Sequence, residues 1–176
     1  MSKEGLGELI AAGRIAAGSD AELATAALGA AVRQGQPKPD LGSVEAFKRA
    51  VVSARLVAIP ASTSGIFLKD EVFPKLGIAE KVKYRVMARG AESTALLAAG
   101  EADLALGPVS ELLDQPGIEP AGVLPDEVQL IQMFVAAIVN TSRRSEQARR
   151  LIEFLTSEKS AAAIRNSGME PVGKRR

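Results

Sequence analysis

The sequence of 176 residues predicts an α/β fold with a largely parallel sheet, and three observations carry that expectation. Short apolar runs of strand length alternate with amphipathic stretches of helix length along the chain. Apolar residues make up 47%, enough to bury the core of one domain or of two small lobes that share hinges. The apolar set is dominated by Ala, Val, Leu and Ile, with aromatics at only 3%. That composition suits closely packed α/β layers and lacks the stacking faces that single-stranded nucleic acid needs.

Leu6 to Ala12 reads as the end of a helix stopped at Gly13. Leu23 to Val32 is small and apolar and becomes a strand by Leu28, followed by the polar, Pro-containing loop 34–40. Ser43 caps a helix whose Phe47, Ala50, Val51 and Ala54 recur on one face. Leu56 to Ile59 is a short buried strand ending at Pro60, and a helix then runs through Ile66, Phe67 and Val72. Pro74 interrupts that helix near its end and Gly77 closes it. Val82 to Ala88 alternates as a strand does, and Thr94 to Ala99 forms a helix ended by Gly100. Leu104 to Leu106 is a strand, Ser110 to Leu113 a helical turn, and Glu119 to Leu124 extended. Val128 to Val139 is the longest strand expected; helices over Ser145–Leu155 and Ser157–Arg165 finish the fold.

Charge excludes several functions. The 22 basic and 21 acidic residues give a net charge of +1 without a basic stripe, so no nucleic-acid track is expected. The tail Lys174-Arg175-Arg176 reads as a solvated terminus. Cys and His are absent, which removes thiolate chemistry, disulfides, imidazole metal sites and His-dependent triads. No metal or cofactor is expected. Met1 to Gly5 leads straight into the first amphipathic stretch without an apolar signal region, so the chain as written reads as soluble and without an export signal.

Two segments carry candidate chemistry. Pro60-Ala61-Ser62-Thr63-Ser64-Gly65 lies between a strand and a helix, where free N–H groups and the positive end of the helix dipole favour an anion. Gly65 would let a ligand approach the backbone closely. The alternative is an ordinary N-cap with extra hydroxyls, and the fixed Gly and Lys of a P-loop are missing. Arg89-Gly90-Ala91-Glu92-Ser93 opens the next helix, with Arg89 as a forked cation or a surface residue paired to a neighbouring Glu. In an open parallel sheet the two junctions lie in one crevice and converge on one anionic group.

The ordered set Leu9-Ile10-Ala11-Ala12-Gly13-Arg14-Ile15, Lys38-Pro39-Asp40 and Ser43 to Ala50 resembles the middle of molybdate-binding-like extracytoplasmic solute-binding proteins. Ser62-Thr63-Ser64-Gly65-Ile66-Phe67, Gly100-Glu101-Ala102-Asp103-Leu104-Ala105-Leu106-Gly107 and Leu124-Pro125-Asp126-Glu127-Val128-Gln129 extend the resemblance. Phe154-Leu155-Thr156-Ser157 and Gly168-Met169-Glu170-Pro171 complete it over essentially the whole chain.

The resemblance implies an α/β, type II periplasmic-binding-protein-like fold: residues 28–127 as a nearly complete second lobe, residues 1–27 and 128–176 as the remnant of the first. It implies a chain that lacks the family's signal peptide and part of its first lobe, and a periplasmic location for the family. It also implies a small anionic ligand in the cleft, with ABC transporter membrane subunits as partners of a full-length, exported protein. Ser64 and Gly65 fall on one of the family's backbone-donor positions, and Gly90 and Ala91 fall near the other; Ser62, Thr63, Arg89 and Glu92 complete the expected ligand-binding set. Pro108 stands at the family's tyrosine position and cannot donate, which points away from molybdate and toward organic-acid ligands.

Three functions follow as expectations: an anion-binding transport module without catalysis, an enzyme similar to aconitate isomerase, or a truncated fragment without ligand. An isomerase needs a positioned base, and Glu92 and Glu111 are the cleft candidates. An incomplete first lobe would leave apolar residues of Val128–Val139 and of the final helices uncovered, so a homo-oligomer is expected.

Overall fold

The computed structural model describes residues 1–172, so the cationic tail lies outside the described residues. In chain order the elements begin with α1 (Lys3–Ala11), β1 (Ala21–Arg33), α2 (Val44–Ser53), β2 (Val57–Pro60), α3 (Thr63–Phe67) and α4 (Phe73–Lys75). They continue with β3 (Tyr84–Met87), α5 (Gly90–Ala98), β4 (Leu104–Pro108), α6 (Val109–Leu112) and β5 (Ile118–Val123). β6 (Ile131–Ala136), α7 (Ser145–Leu155), α8 (Glu158–Asn166) and β7 (Glu170–Pro171) follow. The chain forms two compact units, one of residues 27–131 and one of residues 1–26 with residues from 132 onward.

In the unit of residues 27–131 the strand order is β3-β2-β4-β1-β5. β2 runs parallel to β3 and to β4, while β1 runs antiparallel to β4 and β5. The sheet is therefore mixed rather than largely parallel. The parallel part is confined to β3-β2-β4, strands joined in succession by helical crossovers; β1 is linked to β2 through α2 but lies beyond β4 and runs antiparallel to it.

The side chains of the central strands explain how the layers pack. Val57 and Ile59 of β2, Leu104 and Leu106 of β4, and Ala30 and Val32 of β1 belong to one core, with Phe47 and Val51 of α2 and Leu68, Val72 and Phe73. The intervening Ala58, Ala105 and Ala31 belong to a second core, with Leu97 of α5 and Leu112 of α6. The period-2 alternation puts Val, Ile and Leu, with Ala30, on one face and alanine alone on the other. The alanine face lets α5 lie close to the sheet.

Local signals set the helix boundaries. Ser43 Oγ accepts from Ala46 N at 3.2 Å and caps α2. α3 runs without a break into a π-helical turn over Leu68–Val72 and then into α4. Phe73 N donates to Leu68 O across that turn, and Pro74 follows at once. A proline ring clashes with the carbonyl four residues earlier in a regular helix, and the wider turn relieves the clash. Gly13, Gly77 and Gly100, where the sequence places helix stops, take left-handed φ at helix ends, and Gly168 does the same after α8.

The other unit contains α1, α7 and α8. Its strand β7 pairs antiparallel with the first half of β1, Ala24 opposite Pro171, and β6 also pairs with β1. Ser19 Oγ donates to Ala16 O and accepts from Ile138 N at 3.0 Å, and Met1 N and O bond to Val135 O and N. Two strand expectations are corrected. β1 starts at Ala21 rather than Leu28 and, with 13 residues, is the longest strand among the described residues. Val128–Val139 contains only the six residues of β6, because Asp126–Val128 forms a 3-10 turn first. α7 has no buried residue, and Leu151 and Phe154 stand about half exposed.

Candidate ligand-binding site

The candidate residues come from the carboxyl ends of parallel strands. Val57, Ala58, Ile59 and Pro60 of β2 stand opposite Tyr84, Arg85, Val86 and Met87 of β3. The ladder continues through Ala61 N to Met87 O at 2.7 Å. The chain segments that leave these strands are thus held side by side, as convergence on one ligand requires.

Ser62 is the N-cap of α3 and Arg89 that of α5; both are extended, and neither side chain caps its helix. Ile66 N donates to Ser62 O at 2.9 Å, and Glu92 N donates to Arg89 O at 3.0 Å. The N–H groups of Ser64, Gly65, Gly90 and Ala91 find no acceptor among the described residues. Four unengaged donors at two helix starts form a local field that favours negative charge.

The side chains fall into place around them. Ser64 is fully buried, its Oγ 3.4 Å from Oγ of the exposed Ser62. Thr63 is half-buried in the first turn of α3. Arg89 is exposed, and its guanidinium makes no ion pair or hydrogen bond among the described residues, so the surface pairing with a Glu is not formed. Ala91 and Glu92 are exposed in the first turn of α5. Ser93, buried in the same helix, has a hydroxyl without a partner among the described residues.

Gly65 also has a packing role. A Cβ there would overlap the carbonyl oxygen of Pro60. Glycine therefore permits a close approach between the helix start and the end of β2.

Glu111 joins this set from a third junction. It sits in α6, directly after β4, the other parallel neighbour of β2. A Cβ at Gly90 would collide with Glu111 Oε2, so this carboxyl reaches across the end of β2 to the start of α5. Burial pushes the Glu111 carboxyl above the usual carboxylate range. In the sequence Glu111 stands out only as a candidate base. Its contact with Gly90 depends on the order β3-β2-β4, which no local pattern encodes. Among the described residues no group of three acidic, Cys or His side chains could hold a metal. No helix among them is long and apolar enough to cross a membrane.

Comparison with known proteins gives this crevice a family. Residues 2–170 match the family described as bacterial extracellular solute-binding protein. An aconitate isomerase from Pseudomonas sp. is 37% identical over 168 residues, which are 95% of this chain and 64% of that protein. The chain thus spans less than two thirds of the length of this curated relative. The periplasmic molybdate-binding protein of Azotobacter vinelandii superposes with a TM-score of 0.69 at 16% identity, over 96% of this chain and 74% of its own. The substrate-binding protein of an ABC transporter from Agrobacterium tumefaciens superposes with a TM-score of 0.68 at 13% identity, over 96% and 61%. These two likenesses show the fold, which is of the type II periplasmic-binding-protein kind. With the match running over nearly its whole length, the chain belongs to the bacterial extracellular solute-binding protein family.

Proposed function

We propose that this chain is the ligand-binding portion of a transport-type solute-binding protein that holds a small anion, an organic carboxylate or an oxyanion. The observation that carries the reading is the pair of uncapped helix starts on adjacent parallel strands, with the N–H groups of Ser64, Gly65, Gly90 and Ala91 unengaged. Arg89, unpaired beside them, supplies a planar fork that matches a carboxylate. Family membership supports a periplasmic setting and ABC transporter membrane subunits as partners of the whole protein. The exposed Leu151 and Phe154 of α7 support self-association.

The test is calorimetric titration with a panel of di- and tricarboxylates and oxyanions. Arg89→Ala is expected to weaken the best ligand by about 1.5–3 kcal/mol, the usual worth of a charged hydrogen bond. Unchanged affinity would remove Arg89 from the site.

Glu111 favours a second reading, an isomerase acting on a tricarboxylic acid such as the substrate named for the Pseudomonas relative. In an allylic isomerisation a base takes a proton from the methylene carbon, the double bond shifts, and the proton returns at the far carbon. A carboxyl with a raised pKa in the crevice can serve as base and then as acid.

The two readings diverge on Glu111→Gln. In a binder, ionised Glu111 repels an anion, so affinity rises as pH falls through its raised pKa, and Glu111→Gln tightens binding at neutral pH. In an isomerase the same substitution abolishes conversion of trans- to cis-aconitate and leaves binding intact. The stability sign is common to both: a carboxyl whose folded pKa is raised favours the fold at low pH and gives that up as pH rises through the folded value. Glu111→Gln is therefore expected to raise stability at neutral pH, read from denaturation midpoints at pH 4 and pH 7. Lower stability at pH 7 would contradict the burial argument.

A further inference from the structure

A cavity of about 320 Å³ lies in the unit of residues 27–131, at the opposite end of the strands from the helix starts. It opens where β2 and β4 begin and β1 ends, since Arg33, Arg55, Asp103 and Leu104 line it. Three steps of about 3.3 Å along β2 separate this end from the crevice described above, roughly 10 Å of strand. Nothing in the anion-binding proposal uses it.

Its chemistry is that of a receptor for an amphipathic anion. Arg55 is fixed: its Nε and Nη2 donate to Asp103 Oδ1 at 3.0 and 2.7 Å, and Nη2 also donates to Gly100 O at 3.3 Å. Lys38 faces Glu119 at 3.7 Å. These two pairs cancel and leave Arg33, whose guanidinium makes no ion pair or hydrogen bond among the described residues. The Cβ position of Gly100 lies 3.3 Å from Arg33 Nη1, so the glycine leaves room for the guanidinium at the wall. Val32, Ala54, Ala102 and Leu104 give an apolar floor, and Pro37 and Pro39 a rigid rim. One uncompensated fork above an apolar floor fits a monocarboxylate with a compact apolar body, and the volume is at the small end of ligand sites.

We propose that this cavity is a second binding site, separate from the helix-start crevice, and that it takes a small monocarboxylate with an apolar body, seated on Arg33.

Benzoate is the probe, titrated into the full 15N-labelled chain and followed by amide shifts. The shifts are expected to centre on Arg33, Ala54 and Gly100. Arg33→Gln is expected to weaken benzoate by about fivefold or more, and the neutral benzyl alcohol to bind weaker than benzoate by about the same factor. Ser53→Phe, at an exposed position on the cavity wall, keeps every charge and is expected to abolish the shifts by filling the mouth. Arg89→Ala is expected to leave benzoate binding unchanged, which separates this site from the anion crevice. Equal affinity in Arg33→Gln would reduce Arg33 to a cation at the end of α5 and overturn the proposal. Shifts confined to Ser64, Gly65, Gly90 and Ala91 would overturn it too, while supporting the crevice as the chain's anion site.

Discussion

Gly65→Ala is expected to destabilise the chain by about 3 kcal/mol or more, at the upper end of what overpacking costs. Two effects oppose each other at this position. Alanine within a helix is ordinarily better than glycine by up to about 1 kcal/mol. Against that, the new methyl would occupy the space of the Pro60 carbonyl oxygen, with the Pro60 carbonyl carbon 2.8 Å away. Both atoms are backbone of β2, the central strand of the parallel trio, and Ile59 beside them is fully buried. Neither can move without pulling the sheet, so the steric term wins. Gly90→Ala is the control. There the colliding atom is the far end of the Glu111 side chain, which can rotate away, and the expected cost is below about 1 kcal/mol. Urea denaturation of both variants makes the comparison. Gly65→Ala at wild-type stability would mean that the approach of α3 to β2 is loose.

The helix starts are legible in the sequence because their signals are local. Hydroxyls and glycine after a proline-ended strand mark Ser62–Gly65, and Arg89-Gly90 after an alternating strand marks the next start. What the residues lack is the identity of their neighbours. Gly65 reads as room for a ligand, and only the position of Pro60 O shows that the end of β2 also needs that room. Glu111 lies far along the chain from Ser64 and Gly65, beyond the reach of any spacing rule; strand order alone brings it to Gly90.

The same division holds for the fold. α2 and α7 follow the expected spans closely because a cap or a strong amphipathic period fixes them. The sheet reads as largely parallel because the alternation of strands and helices is a local pattern, whereas the antiparallel placement of β1 is a long-range one. Alanine at the second position of each central triplet, Val57-Ala58-Ile59 and Leu104-Ala105-Leu106, is the clue to two unequal sheet faces.

Gln129→Leu is expected to cost about 3–5 kcal/mol, more than a half-buried polar side chain usually controls. Gln129 Oε1 accepts from Leu28 N at 2.6 Å and from Leu130 N at 3.0 Å. Its Nε2 donates to Leu28 O at 3.1 Å and to Leu124 O at 3.0 Å. One amide thus supplies four bonds to backbone where the chain bends from the 3-10 turn Asp126–Val128 toward β6. This placement explains why the apolar stretch from Val128 does not extend as one strand. Leucine preserves volume and removes all four bonds. Leu28 O keeps Leu124 N at 3.0 Å, but the N–H of Leu28 and the carbonyl of Leu124 lose these partners beside side chains that are almost completely buried. Each buried backbone group left unpaired costs about 1–3 kcal/mol, and the added apolar burial offsets little of it because Gln129 is only half-buried. Denaturation midpoints give the total, and amide exchange gives the location. The Leu28 and Leu130 amides are expected to lose protection well before those of β2. Wild-type stability, or exchange that accelerates evenly through the sheet, would show that water replaces the amide at this bend.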